Sequence, residues 1–133
     1  MKKIVKCDKA PAALGPYNHA CDVNGFVFTS GQIGIDPATG KLAEGIEAQT
    51  RQALSNLKNV LMEAGCGDIT QDVLKTTVFI MDMNDFATIN KIYGEFFSKD
   101  FPARSCVQVA KLPAGALVEI EAIAFRGIMK AVF

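Results

Sequence analysis

In the last third of the chain, Arg104, Cys106 and Gln108 alternate with Ser105, Val107 and Val109, and Glu119 and Glu121 alternate with Val118, Ile120 and Ala122. Period-2 alternation is strand geometry, so each set shares one side of its strand. A guanidinium is a rigid fork of donors that matches the two oxygens of a carboxylate, and charge-assisted bonds of this kind are worth about 1.5–3 kcal/mol each. Burial among apolar neighbours raises the pKa of a glutamate, while a nearby arginine lowers it. Glu119 is therefore a candidate general base or water-positioning acceptor, with Glu121 as its competitor. If the two strands pair as a terminal hairpin, the guanidinium, the Cys106 thiol and both carboxylates meet on one semi-apolar surface. The plain alternative is a cross-strand ion pair between Arg104 and Glu119 with no chemical role.

Other chemistries have less to build on. Cys7, Cys21, Cys66 and Cys106 show no Cys-x-x-Cys spacing, which removes the usual zinc and dithiol motifs. His19 is the single histidine, so one chain supplies no two-His metal site, and a Ser–His or Cys–His nucleophile would depend on that residue alone. No cofactor and no metal are expected. Cys106 is a possible nucleophile, but a thiol in this setting is more often a small hydrophobe. His19 is a possible base whose ordinary alternative is a partly exposed strand histidine.

The elements that position these residues are legible from local patterns. His19–Val23, Asn24-Gly25 and Phe26–Ser30 read as a β-hairpin with a type I′ turn. Asp36-Pro37-Ala38-Thr39-Gly40 is a turn signal. Ile46, Ala53, Leu54, Leu57, Val60, Leu61 and Ala64 mark one face of an amphipathic helix over 46–64, with Gly65 as its left-handed cap. The β-branched run 72–81 predicts a strand. A second helix follows, with Asn84 as N-cap and Phe86, Ile89, Tyr93, Phe96 and Phe97 on its buried stripe; Pro102 ends that region. Strands over 104–110 and 117–126 close the chain.

The order β-β-α-β-α-β-β predicts an α+β sandwich, a mixed sheet with two helices on one face, in a single domain spanning 1–133. Two helices are too few to cover both faces of a doubly wound sheet. In the last strand Val118, Ile120, Ala122 and Ala124 point under the helices. Leu117, Glu119, Glu121, Ile123 and Phe125 point to the bare side. An apolar face without cover in its own subunit is readily buried against another copy, so a homo-oligomer is expected.

Composition narrows the classes further. The 14 Lys+Arg balance 14 Asp+Glu and half of the residues are apolar, which argues against a nucleic-acid tether and against disorder. By surface scaling, a chain of this size buries about two-thirds of its surface on folding, enough for one core without staples. No stretch approaches the roughly 20 apolar residues of a membrane span. The start, Met-Lys-Lys-Ile-Val-Lys-Cys-Asp-Lys, has a positive charge but no apolar run after it, so a cytoplasmic protein with reduced thiols is expected.

Four segments in order, Gly15-Pro16-Tyr17, Thr29-Ser30-Gly31-Gln32-Ile33, Phe101-Pro102-Ala103-Arg104-Ser105 and Val118-Glu119-Ile120-Glu121-Ala122, with Asn90-x-x-Tyr93-x-x-Phe96-Phe97 between the second and third, resemble the RidA/YjgF family of reactive-intermediate (imine) deaminases. The resemblance covers nearly the whole chain. It implies a chorismate-mutase-like fold and a homotrimer with active sites in the clefts between subunits. It also implies hydrolysis of 2-imino acids such as 2-iminopropanoate and 2-iminobutanoate, and of the enamine 2-aminoacrylate, to 2-keto acids and ammonia, which protects pyridoxal-phosphate enzymes. By the family pattern Arg104 clamps the substrate carboxylate, the Cys106 backbone contacts the imine nitrogen and Glu119 positions the attacking water. Tyr17, Ser30, Gly31 and Asn90 shape the pocket. Asn18-His19 departs from the Ser-Gln commonly found after Gly-Pro-Tyr, next to the pocket. Two other functions compete: a keto-acid-binding regulatory module that uses the same arginine without hydrolysis, and an RNA-directed ribonuclease or translation inhibitor. The only basic cluster, Lys2, Lys3, Lys6 and Lys9, lacks the interleaved aromatics that stack bases.

Overall fold

Asn24 and Gly25 both take positive φ, 52° and 89°, as a two-residue type I′ turn requires. They join β2 (Ala20–Val23) to β3 (Phe26–Thr29) in register from Ala20–Thr29 to Val23–Phe26. Asp22 fastens this turn: its Oδ1 accepts from the Gly25 N–H at 3.0 Å and its Oδ2 from Arg126 Nε at 2.7 Å. The arginine bond holds the Asp22 carboxyl below its ordinary pKa. A short strand not apparent in the sequence pattern, β1 (Lys3–Val5), adds to the outer edge of β2.

The computed structural model describes residues 1–127. After β3 the chain breaks step and resumes as β4 (Gln32–Ile33), then makes the small hairpin β5 (Ile35–Asp36) and β6 (Lys41–Leu42) around the 36–40 turn. Helix α1 (Gly45–Glu63) follows and Gly65, at φ 85°, closes it. A single turn α2 (Ile69–Asp72) leads into β7 (Val73–Ile80), then α3 (Phe86–Phe97), β8 (Ala103–Gln108) and β9 (Val118–Phe125). Asn84 does not cap α3: Asp85 stands at its N-cap without a side-chain hydrogen bond, and Asp82 caps the 3-10 turn Met83–Asp85 that precedes it, its side chain accepting from the Asn84 N–H.

The main sheet runs β1-β2-β3-β9-β7-β8, with β4 also paired to β9. All pairings are antiparallel except β7 with β8, which are joined through α3 as a β-α-β unit. The expected terminal hairpin does not form. A strand returning from a crossover helix must lie parallel to its predecessor, so β8 takes the outer edge of β7. The alternating β9 then fills the gap between β3 and β7, where both of its edges are paired.

Both long helices pack on one face of the sheet. Leu54, Leu57, Val60 and Leu61 of α1 and Ile89, Tyr93 and Phe97 of α3 share a core with Val27, Val78, Ile80, Val118, Ile120, Ala122 and Ala124. Phe86, expected on that buried stripe, is instead 37% exposed at the start of α3. Among the described residues, no helix covers the other sheet face. Phe26 and Phe28 on β3, each nearly half exposed, lie in register with Phe125 and Ile123 of β9, and Val23, Ile4 and Val107 extend the apolar surface.

Candidate active site

Strand β8 is an edge, and Arg104 leaves it toward α3. Its Nη1 donates to Asn90 Oδ1 at 2.7 Å, and its guanidinium carbon lies 4.9 Å from the Tyr93 ring centre and 5.5 Å from that of Phe86. No described carboxylate lies within ion-pair distance of it. A half-buried arginine held by a neutral amide and two ring faces keeps its charge and most of its donors for a ligand. Beside it opens a cleft of about 280 Å³ lined by Asn90, Tyr93, Gly94, Phe101, Pro102 and Arg104. Burial raises the Tyr93 pKa, so its phenol stays neutral beside the cation.

Cys106 lies two residues along the same face. Burial pushes its thiol pKa up against the opposing pull of Arg104, which disfavours the nucleophilic thiolate. Its backbone is better placed. The Val109 N–H bonds Ile80 O, and strand alternation from that bond turns the N–H and C=O of Cys106 away from β7, toward the free edge.

Glu119 and Gly31 belong to a second group. Gly31 sits at the break between β3 and β4, so close to β9 that a Cβ there would lie 2.7 Å from the Glu119 carboxyl carbon. Ser30 is pinned on both sides, its N–H donating to His19 O at 2.9 Å and its Oγ to Asn18 O at 2.5 Å. Tyr17 is exposed near Gly31, and its phenol oxygen accepts from the Leu14 N–H at 3.0 Å. The Glu119 carboxylate has no hydrogen bond to any described residue. Its pKa is raised, first by burial and then by the charge of Glu121. A carboxylate in that state takes a proton readily.

The two groups lie on opposite faces of the sheet. Arg104 is in register with Thr76, which is opposite the buried Ala122 under the helices. Glu119 is in register with Phe79 and points to the bare face, two strands from β8. The expectation of one surface shared by Arg104, Cys106, Glu119 and Glu121 is therefore corrected. It depended on a direct β8–β9 pairing, and β7 lies between them. Within one chain Arg104 and Glu119 form neither an ion pair nor a site.

His19 is a structural residue. It is buried, its Nδ1 accepts from the Cys7 N–H at 2.9 Å, and its Nε2 lies 2.7 Å from Pro11 O, so the neutral ring with Nε2–H satisfies both partners and leaves no lone pair for catalysis. The contribution of Phe86 and Tyr93 to the arginine site was hidden by their place in a stripe that reads as core. Their spacing around Asn90 on one helix face was the available signal. Among the described residues, no three His, Cys, Asp or Glu side chains cluster to hold a metal ion, and no helix is long and apolar enough to cross a membrane.

The chain and its fold match many known proteins. The chain belongs to the RidA/YjgF family: the model described as Endoribonuclease L-PSP matches residues 7–126. A RutC family protein of Synechocystis is 54% identical over 125 residues, covering 92% of this chain and 95% of that protein. The 2-iminobutanoate/2-iminopropanoate deaminase of Salmonella typhimurium is 50% identical over 129 residues, covering 95% and 99%. The crystal structure of Escherichia coli TdcF with bound serine superposes with a TM-score of 0.88 at 47% identity, covering 94% of this chain and 99% of that one.

Proposed function

We propose that this chain hydrolyses small 2-imino acids to 2-keto acids and ammonia, at sites built between copies of itself. The observation that carries the reading is the Arg104 guanidinium, held by Asn90, Tyr93 and Phe86 without a carboxylate partner among the described residues. It suits a substrate whose own carboxylate supplies the missing charge. The deaminase relative from Salmonella typhimurium and the serine-bound TdcF structure support the same chemical class, a small molecule with a carboxylate beside a nitrogen-bearing carbon.

In this reading Arg104 binds the substrate carboxylate and the free backbone edge at Cys106 contacts the imine nitrogen. Glu119 of a neighbouring copy, with Gly31, Ser30 and Tyr17 around it, faces the imine carbon. A protonated imine is strongly electrophilic, so holding it still and activating one water supplies the main requirement. Glu119 accepts a proton as the water oxygen bonds to the imine carbon, giving a carbinolamine. It returns that proton to the nitrogen as the carbon–nitrogen bond breaks, the carbinolamine hydroxyl proton passes to the departing ammonia, and ammonium leaves with a 2-keto acid. Neither oxidant nor reductant is needed.

The assembly in this reading is a homotrimer, the state that the family resemblance implies, in the cytoplasm where such imines arise. The exposed Phe26, Phe28 and Val107 on the bare sheet face support burial against another copy. The experiment is to add the purified protein to a threonine or serine dehydratase reaction and follow keto-acid release from the imine. Acceleration over buffer that Arg104→Ala abolishes is expected; no acceleration, or acceleration indifferent to Arg104→Ala, would sink the reading.

A further inference from the structure

Resting on the reading of Arg104 as the carboxylate anchor, we propose that Thr76 is a positioning residue for substrate binding: it fixes the Tyr93 ring against which the Arg104 guanidinium rests. Thr76 is 1% exposed and Tyr93 5%, and their hydroxyl oxygens lie 2.7 Å apart. With Thr76 buried and Tyr93 nearly so, bulk water is a poor substitute for the partner either hydroxyl would lose. Thr76 is also the register partner of Arg104 in the parallel β7–β8 ladder. One row of the sheet thus carries the root of the arginine and, through Thr76 and Tyr93, the ring 4.9 Å from its guanidinium carbon. Asn90 restrains one nitrogen of the fork at 2.7 Å, but a single hydrogen bond leaves the guanidinium plane free to turn about it. A ring face supplies the second restraint. Valine would satisfy the strand and the core at position 76 at least as well as threonine, so the hydroxyl is accounted for by Tyr93 and, through it, by the arginine.

Other buried polar side chains stop at the scaffold. Asn56 donates to the carbonyls of Ile33 and Ile35, Gln49 accepts from the Leu117 N–H, and His19 bridges Cys7 and Pro11. The Thr76–Tyr93 pair differs because its ring lies 4.9 Å from a charge that the proposed reaction uses.

The test compares Thr76→Val, Thr76→Ser, Tyr93→Phe and the double variant Thr76→Val/Tyr93→Phe, measuring KM and kcat for 2-iminopropanoate, pyruvate affinity by calorimetry, and melting temperature. Thr76→Val is expected to raise KM about tenfold and weaken pyruvate binding in parallel, with kcat changed much less, because ground-state and transition-state binding of the carboxylate fall together. Thr76→Ser restores both. In the double variant no phenol is left orphaned, so the melting temperature recovers while KM stays high. The proposal is overturned if folded Thr76→Val keeps the original KM, or if KM simply follows melting temperature through the series. Should Thr76→Val not fold, Tyr93→Phe carries the same KM expectation, and an unchanged KM there overturns the proposal. Loss of activity in Arg104→Ala alongside an unchanged KM in these variants would leave the deaminase reading standing and remove only the role of Thr76.

Discussion

At the scale of single residues, the useful property of Arg104 is the neutrality of what surrounds it. Asn90 offers an amide oxygen where an aspartate would have cancelled the charge, and the Tyr93 and Phe86 faces support the cation without competing for its in-plane donors. Glu119 is prepared in the opposite sense. Burial and the Glu121 charge both make its anion less favourable, so its pKa lies above the ordinary carboxylate range. If Glu119 must be ionised to accept a proton from water, activity falls on acidification as that group protonates. Removing the neighbouring charge eases ionisation, so Glu121→Gln should move the acid limb of kcat/KM to lower pH. Burial remains, and holds the limb above the position of a free glutamate. A pH–rate profile of the variant checks this; an unmoved or upward-moved limb would show that Glu119 is not the group titrating.

At the scale of elements, the parts that sequence made legible are those fixed by near neighbours. Asn24-Gly25 specifies its turn by φ alone, and the apolar stripe of α1 specifies its buried face within a few turns. Strand order is different, because β9 lies between β3 and β7, partners far from it in the chain, and nothing local in 118–125 selects them. That non-local pairing undid the expected terminal hairpin and moved Arg104 and Glu119 to opposite faces. Arg104, Cys106 and Glu119 stand out by strand alternation and residue chemistry, and the family resemblance adds Tyr17, Ser30, Gly31 and Asn90; Phe86 and Tyr93 read as core because an aromatic stripe looks the same in either role. The break between β3 and β4 has a purpose of its own: it lets Gly31 approach Glu119 more closely than any side chain permits. Gly31→Ala should displace the Glu119 carboxylate and lower kcat by about 10²-fold, the cost of misplacing a reacting group by roughly 1 Å. Thermal melting would separate this from unfolding, and a stable variant with full kcat would refute the packing argument.

At the scale of the whole molecule, the two halves of the proposed site are separated by the sheet itself. The carboxylate-binding half of the proposed site lies on the helix side of the sheet edge, and the water-activating half on the bare face two strands away. A single chain cannot bring them together without unfolding its sheet. A neighbouring copy can, and the exposed phenylalanines of the bare face give association an apolar driving force. The most direct test is complementation between two inactive chains, Arg104→Ala and Glu119→Gln, combined by co-expression or by unfolding and refolding together, with mixed oligomers verified by mass. In a cyclic assembly, random equal mixing pairs an intact Arg104 with an intact Glu119 at about one interface in four. Imine hydrolysis should therefore return to about a quarter of the unmodified level, although neither variant is active alone. Verified mixed oligomers that remain as inactive as their parents would contradict the shared site.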